Sequence, residues 1–418
     1  MRIIYVTSSM PYGPGEVFVT SEVEEVRKQG HEVLVVPMYP RGSVLHTDAK
    51  PLLEYVCAQP LLSPPIAKGA AEAFVRAPHR TFRALSWLFR GRSAKVILKS
   101  LAVYPKGLWL ARLAREWRAD HIHAHWAATT ASMALVASEV SRVPWSFTAH
   151  SSDITDWSFS APLPAATKNA LLSLKAFRAC FVRFISRSGL RKAGLTETGA
   201  SPKVFVLPMG VELPDLSAVR HEDRRGRATV VCCPADFIPV KGHKYLIKAV
   251  AILQERGLDL ELWLAGNGRL EEELREQREA LNLSNSIVFL GLLPHQRLMD
   301  LYRRGEVDIV ALPSVDLGGG EYEGVPVSLI EAMSYRIPVV STTTGGIPEL
   351  LGGGAGIMVP PADSTALAEA IGRLIQDPEL RDKLGDAGRK RVEKSYSKKE
   401  IVGELIARFK ACAPVRSN

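Results

Sequence analysis

A largely apolar run at the amino terminus, Arg2–Thr7, breaks on Pro11, Gly13, Pro14 and Gly15 within Ser8–Glu16. A helical segment follows from about Phe18 to Gln29, stops at Gly30, and gives way to a second apolar run, His31–Pro37. Strand-length runs without polar alternation are those a sheet covered on both faces requires. The opening is therefore a β-loop-α-β unit, which restricts the chain to a parallel, doubly wound sheet. Asp120–His125 and Pro144–His150 read as further strands, separated by a helix of small residues from about Thr130 to Ser141. A second series, Thr229–Pro234, Leu260–Ala265, Ile287–Leu290, Val307–Leu312 and Ile337–Ser341, alternates with helices in the same way. The fold class is α/β with two Rossmann-like doubly wound domains, and 418 residues suit two cores. Val204–Pro214 closes the first half, and the short charged segment His221–Arg227 marks the boundary, giving domains 1–220 and 221–395 with a final helix in 396–418.

Composition excludes several classes. With 46% apolar and 23% charged residues the chain is globular, and no apolar stretch approaches the roughly 20 residues needed to span a bilayer. Five cysteines, an odd number without metal-ligand spacing, and no signal-peptide pattern suit a reducing compartment, so a cytoplasmic location is expected. The net charge of +9 is concentrated between Lys68 and Arg118, where twelve Lys or Arg face only Glu72 and Glu116. Phe74, Phe82, Trp87, Phe89, Trp109 and Trp117 are interleaved with them, and a second basic run, Lys168–Lys192, carries Phe177, Phe181 and Phe184 without any acid. Basic helices with aromatic residues suit an anionic membrane surface, and no nucleic-acid motif accompanies them. A plain solvated face is the other reading.

The chemistry concentrates in Glu323-Gly-Val-Pro-Val-Ser-Leu-Ile-Glu331. Pro326 at a first helical position would start a helix that carries Glu331 in its second turn, with Glu323 in the preceding loop. Amides of Gly324, Val325 and Val327 would then face outward, an arrangement that attracts phosphate. Carboxylates on either side would accept hydrogen bonds from vicinal hydroxyls of a sugar or ribose. Two glutamates at this spacing also occur in ordinary amphipathic helices. Elsewhere, Gly13-Pro-Gly15 permits close approach of backbone to a ligand or simply makes a tight turn, and it fails the GxGxxG pattern at Phe18. His121, His123 and His125 alternate on one strand, and His125 and His150 fall at strand ends, where open parallel sheets bind ligands.

The run Glu323–Leu350, EGVPVSLIEAMSYRIPVVSTTTGGIPEL, resembles the donor-binding segment of the retaining glycosyltransferases of family 4, which have the two-domain GT-B fold with the domains facing each other across a cleft; the resemblance extends over nearly the whole chain. It implies that Glu323 holds sugar hydroxyls, Glu331 the nucleotide ribose, and Lys241 the diphosphate. Thr148–Asp153 resembles the motif Thr-x-His-Gly-x-Asp, with Ser151 in place of glycine. That places His150 near the donor sugar and Asp153 in support of it or of the acceptor, whereas a merely structural His150 is the alternative. Gly15, Gly266, Gly268 and Leu290 match donor-site turns, and His125 a packing position near the cleft; Thr343–Glu349 matches the glycine-rich donor turn, and Gly318–Gly320 reads as a loop over it. One departure stands out. Five residues before Lys241, where the family usually has arginine, lies Asp236, so Arg187, Arg269 or Lys244 would have to help neutralise the leaving diphosphate.

No Asp-x-Asp pair occurs, so no metal and no cofactor is expected beyond the nucleotide-diphosphate sugar itself. The expected activity is retaining transfer of a hexose to a glycan or lipid-linked acceptor in bacterial surface polysaccharide synthesis, by a protein peripheral to the inner membrane face. Two alternatives remain at this point: a catalytically weak sugar-nucleotide binding subunit, suggested by Asp236, and a nucleotide-sugar epimerase on the same fold.

Overall fold

A computed structural model describes residues 1–12, 16–44, 47–91, 93–150, 153, 170–195, 203–219, 227–318 and 322–413. Gly13 to Gly15, Ser151, His221 to Gly226 and Gly319 to Glu321 lie outside the described residues. Two compact units result: Met1–Pro208 together with Lys399–Asn418, and Met209–Lys398.

The first unit runs β1 (Arg2–Thr7), α1 (Val17–Lys28), β2 (Glu32–Pro37), α2 (Pro64–Arg76), α3 (Pro78–Leu88), α4 (Ala94–Ala102), α5 (Tyr104–Glu116), β3 (His121–His125), α6 (Thr129–Ser141), β4 (Trp145–Ala149), α7 (Ala170–Arg178), β5 (Val182–Phe184), α8 (Arg187–Lys192) and β6 (Val204–Val206). Its six strands are parallel in the order β2-β1-β3-β4-β5-β6. Ile3, Ile4, Tyr5 and Val6 are fully buried, as expected for a strand covered on both faces.

In the second unit β7 (Thr229–Pro234), α9 (His243–Glu255), β8 (Leu260–Ala265), α10 (Glu271–Ala280), β9 (Ile287–Gly291), α11 (His295–Arg303), β10 (Ile309–Leu312), α12 (Val327–Ser334), β11 (Val339–Thr342), α13 (Ile347–Leu351), β12 (Ile357–Val359), α14 (Ser364–Gln376) and α15 (Pro378–Ser395) build a parallel sheet ordered β12-β11-β10-β7-β8-β9. The last helix, α16 (Lys398–Cys412), returns to the first unit. There Phe409, fully buried, meets the rings of Tyr5, His121, His123 and Phe181.

The basic segments differ from the expectation of continuous surface helices. Lys168–Lys192 contains β5, an interior strand whose Arg183 is fully buried with Phe181 and Phe184, because the sheet needs a strand between β4 and β6. Within Lys68–Arg118, Trp87, Leu88, Leu108, Trp109 and Leu110 are core residues. Lys106 is buried as well, its ammonium donating to the carbonyls of Pro37, Met38 and Gln59. Phe82 (60% exposed), Phe89 (57%), Leu98 (71%) and Phe177 (75%) do face solvent. No described helix is long and apolar enough to cross a membrane.

Candidate active site

Open parallel sheets bind ligands beyond the carboxyl ends of the strands, where the strand order reverses. In the second sheet that reversal lies between β7 and β10. Lys241 follows β7 on a single 3-10 turn, Pro239–Lys241, and Ser314 and Glu323 follow β10. Lys241 Nζ donates to Glu323 Oε2 at 2.6 Å, and Ser314 Oγ donates to the same oxygen at 3.1 Å. Glycine seats both partners of this pair. A Cβ on Gly242 (φ +69°) would stand 2.0 Å from the carbonyl oxygen of Pro313, and one on Gly345 (φ +56°) 1.8 Å from that of Glu323. The Gly346 amide bonds the carbonyls of Glu323 and Gly324. Gly345 and Gly346 thus approach protein backbone, which fixes where Glu323 sits.

An ammonium has three donors and a carboxylate two oxygens. One donor and one oxygen are engaged in the Lys241–Glu323 contact, so both groups retain capacity for a ligand. Helix α12 begins one residue later than expected: Pro326, extended at φ −69° and ψ 118°, caps it. Its carbonyl accepts the amides of Leu329 and Ile330, and the earlier amides of Val327 and Ser328 make no backbone hydrogen bond among the described residues. Glu331 still falls in the second turn, where its carboxylate binds His295 Nε2 at 2.8 Å. His295, at the start of α11, was not among the expected residues, since nothing in its local sequence links it to a residue 36 positions away.

Gly266 and Gly268 follow β8. Their missing side chains accommodate the backbone of Ala235 and Phe237, so protein packing alone explains both glycines. Leu290 is half-buried against the core, and Phe289 lies beneath Arg275, whose guanidinium is 4.2 Å from the ring centre. Asp236 is exposed, while Lys244 turns towards the Tyr245 ring.

The first sheet reverses between β1 and β3, and its loop is filled from within. The Glu16 carboxylate accepts the amides of Ser8 (2.9 Å), Ser9 (2.7 Å) and Met10 (2.8 Å) and the Trp126 indole N–H (2.6 Å). Backbone amides at this place commonly hold phosphate; here a side chain occupies those of Ser8 to Met10. Gly15 lies outside the described residues.

Beside this loop the strand-end histidines form one network. His121 Nε2 and His123 Nδ1 share Ser146 Oγ, and His123 Nε2 meets Thr148 Oγ1. His125 bridges Glu22 Oε1 (3.0 Å) and His150 Nε2 (3.1 Å), while Arg183 Nη1 lies 2.5 Å from Glu22 Oε2. Burial alone would raise the Glu22 carboxyl, but the Arg183 guanidinium, with His125, holds it well below the usual carboxylate range. Burial pushes His121 down to about 3 and holds His123 and His150 well below the usual imidazole value. Asp153 accepts the amides of His150 and Ala127, and burial pushes its carboxyl up to about 7 against those bonds and nearby Lys175. His150 lies between the rings of Trp126 and Phe18, at 4.3 and 5.3 Å.

Glu22, His123 and His125 place ligand atoms within 4.8 Å of one another, close enough to consider a metal. Every ring nitrogen of those two histidines already has a partner, and Arg183 is bound to the carboxylate. A cation would have to break these bonds beside a guanidinium.

Residues 219–391 match the family described as glycosyl transferases group 1, and residues 15–210 match the glycosyl transferase 4-like domain. The chain belongs to glycosyltransferase family 4. It is similar to a GDP-mannose-dependent phosphatidylinositol monomannoside mannosyltransferase of Corynebacterium glutamicum, at 32% identity over 55% of this chain and 62% of that protein. A putative teichuronic acid biosynthesis glycosyltransferase of Bacillus subtilis, TuaC, is 25% identical over 92% of each chain. Several curated relatives are matched over little more than half their length, 52% and 56% for two mycobacterial mannosyltransferases. Among solved structures, Anabaena HepE in complex with UDP superposes with a TM-score of 0.70 over 98% of this chain and all of that one, at 18% identity. Likeness at that identity establishes the GT-B fold of this family-4 chain.

Proposed function

We propose that this family-4 chain transfers a hexose from a nucleotide-diphosphate sugar to a glycan or lipid-linked acceptor, with retention at the anomeric carbon and without a metal. The observation that carries the reading is the meeting of Lys241, Glu323 and the start of α12 at the reversal point of the second sheet. A diphosphate seated there takes charge as the bond to the sugar breaks, and an ammonium and helix amides already in position stabilise that charge. Glu323, through its remaining oxygen, accepts sugar hydroxyls, and Glu331, oriented by His295, accepts those of the ribose. Gly324, Val325 and Val327 supply the backbone around the phosphates. The first unit receives the acceptor, consistent with Glu16 occupying the amides where a phosphate would otherwise sit. His150 contacts the transferred sugar, supported by His125 and Asp153.

Polysaccharide and glycolipid synthesis is favoured by the relatives, including the teichuronic acid and phosphatidylinositol mannoside enzymes. HepE is solved with UDP and with UDP-glucose, and the Corynebacterium relative is named for GDP-mannose, so both bases belong in a donor screen. The exposed Phe82, Phe89, Leu98 and Phe177 beside basic residues of α3, α4 and α7 would rest on the anionic inner face of the membrane. Asp236 is the one observation behind the binding-subunit reading, and it does not bear on the epimerase reading.

The test is to incubate the protein with UDP-, GDP- and ADP-sugars and extracted lipid-linked acceptor, with and without EDTA, and to read the product anomer by proton NMR. Transfer with retained configuration, insensitive to EDTA, is expected. Inverted product, or complete dependence on added metal, overturns the mechanism; tight nucleotide binding without turnover on any acceptor would favour a binding subunit.

A further inference from the structure

The backbone pairing of β10 with β11 ends at Leu312 and Ser341, yet Ser314, two residues farther on, is completely buried. Neighbours on both sides hold it there. Its carbonyl accepts the hydroxyl of Thr342, and Thr344 Oγ1 lies 3.0 Å from Thr342 Oγ1. A threonine hydroxyl has one proton to give. Thr342 gives its proton to Ser314, so Thr344 donates to Thr342. Towards β7, the amide of Val315 donates at 2.8 Å to the carbonyl of Val240, the residue before Lys241. Ser314 is thus clamped between the end of β11 and the turn that carries Lys241. Its own hydroxyl donates to Glu323 Oε2, the oxygen that also takes Lys241 Nζ. Glu323 Oε1 makes no hydrogen bond to any described residue, and the side chain is 11% exposed.

The two anchors of Oε2 differ in kind. A lysine ammonium rides on a flexible stem and is drawn to phosphate, whereas the short serine side chain, on clamped backbone, stays where it is. We propose that Ser314 is a positioning residue for Glu323: it keeps Oε2 in place when the Lys241 ammonium turns to a diphosphate, so that Oε1 stays oriented for a hydroxyl of the ligand. This rests on the proposed roles of Lys241 and Glu323, and every residue concerned belongs to the unit Met209–Lys398. Without the serine hydroxyl, a diphosphate that took the ammonium would leave the carboxylate with no fixed partner. It would then rotate about its last bonds, and a displaced acceptor loses the orientation on which both binding and turnover depend.

The experiment compares the full-length wild type with Ser314→Ala, and the probes are UDP, GDP and ADP, each free and as its hexose conjugate. Calorimetric titration measures the affinity for both forms. In Ser314→Ala the affinity for the free diphosphate should be unchanged, because Lys241 is intact, whereas the conjugate should lose about tenfold in affinity and in kcat/KM. Ser341→Ala is the structural control: it deletes an equally buried hydroxyl that donates to the Leu312 carbonyl at 2.6 Å and bonds neither Glu323 nor Lys241, and both affinities should stay as in the wild type. The same ratio of the two affinities in wild type and Ser314→Ala overturns the proposal, and so does a loss of equal size in Ser341→Ala. Glu323→Ala separates this result from the wider reading. If that variant binds and turns over the conjugate as the wild type does, the role of Glu323 in the proposed function fails; a loss there with none in Ser314→Ala refutes the positioning role alone. No binding of any probe by the wild type overturns both together.

Discussion

Gly345→Ala tests whether glycine seating of Glu323 builds the donor site. The added Cβ would stand 1.8 Å from the Glu323 carbonyl oxygen, and contacts under 3.0 Å essentially never occur, so that carbonyl must retreat by more than an ångström. Alanine at φ +56° adds strain of about 1–2 kcal/mol, and overpacking adds about 1–3 kcal/mol. A total loss of about 2–5 kcal/mol is expected. The Lys241–Glu323 contact of 2.6 Å does not survive such a shift, and displacement by an ångström can lower turnover by about a hundredfold. Gly354→Ala is the matched control: its φ is +85°, nothing lies within 4 Å of the new Cβ, and about 1 kcal/mol of strain with normal turnover is expected. Urea titration and donor turnover measured on both proteins decide the matter. Equal stability and equal turnover in the two variants would refute the seating argument.

Glu22→Gln leaves the buried Arg183 guanidinium without its anion and should cost about 3–5 kcal/mol at pH 7. Because the folded-state carboxyl lies below its unfolded value, the Glu22 contribution is fully present above about pH 4.3 and is lost as pH falls below it, so the urea midpoints of variant and wild type should converge in acid. Phe409→Ala removes a fully buried ring from the contact between α16 and the first sheet, and a loss of about 3–5 kcal/mol is expected by chemical denaturation. Replacing Phe82, Phe89 and Phe177 with serine should abolish co-sedimentation with anionic vesicles at low salt and leave turnover on a soluble acceptor intact. Binding indifferent to vesicle charge would remove the membrane proposal.

Much of the fold was legible because buried parallel strands announce themselves as apolar runs. Arg2–Thr7, Thr229–Pro234 and Leu260–Ala265 are strands over the expected residues. β5 was not legible: it has three residues, and its central Arg183 made it resemble a basic surface helix until Glu22, 161 positions away, supplied the counter-charge. Separation in sequence also hid the contact of Glu16 with Trp126, 110 positions away, and that of His295 with Glu331, 36 positions away, which form only once the strands have placed their helices and loops. Lys241 and Glu323 were legible as residue types, but their direct ion pair was not; 82 residues separate them, and it is the glycine-seated turns that close the gap. For Gly266 and Gly268 the motif was visible, and the structure supplies a reason in loop packing.

In the proposed function a diphosphate sits against Lys241 at the start of α12. Calorimetric titration of UDP and GDP into wild-type protein and into Lys241→Ala measures this directly. The nucleotide bound by the wild type should lose at least about tenfold in affinity in the variant, since removing one charge-assisted contact is worth about 1.5–3 kcal/mol. Equal affinity in the two proteins would contradict it.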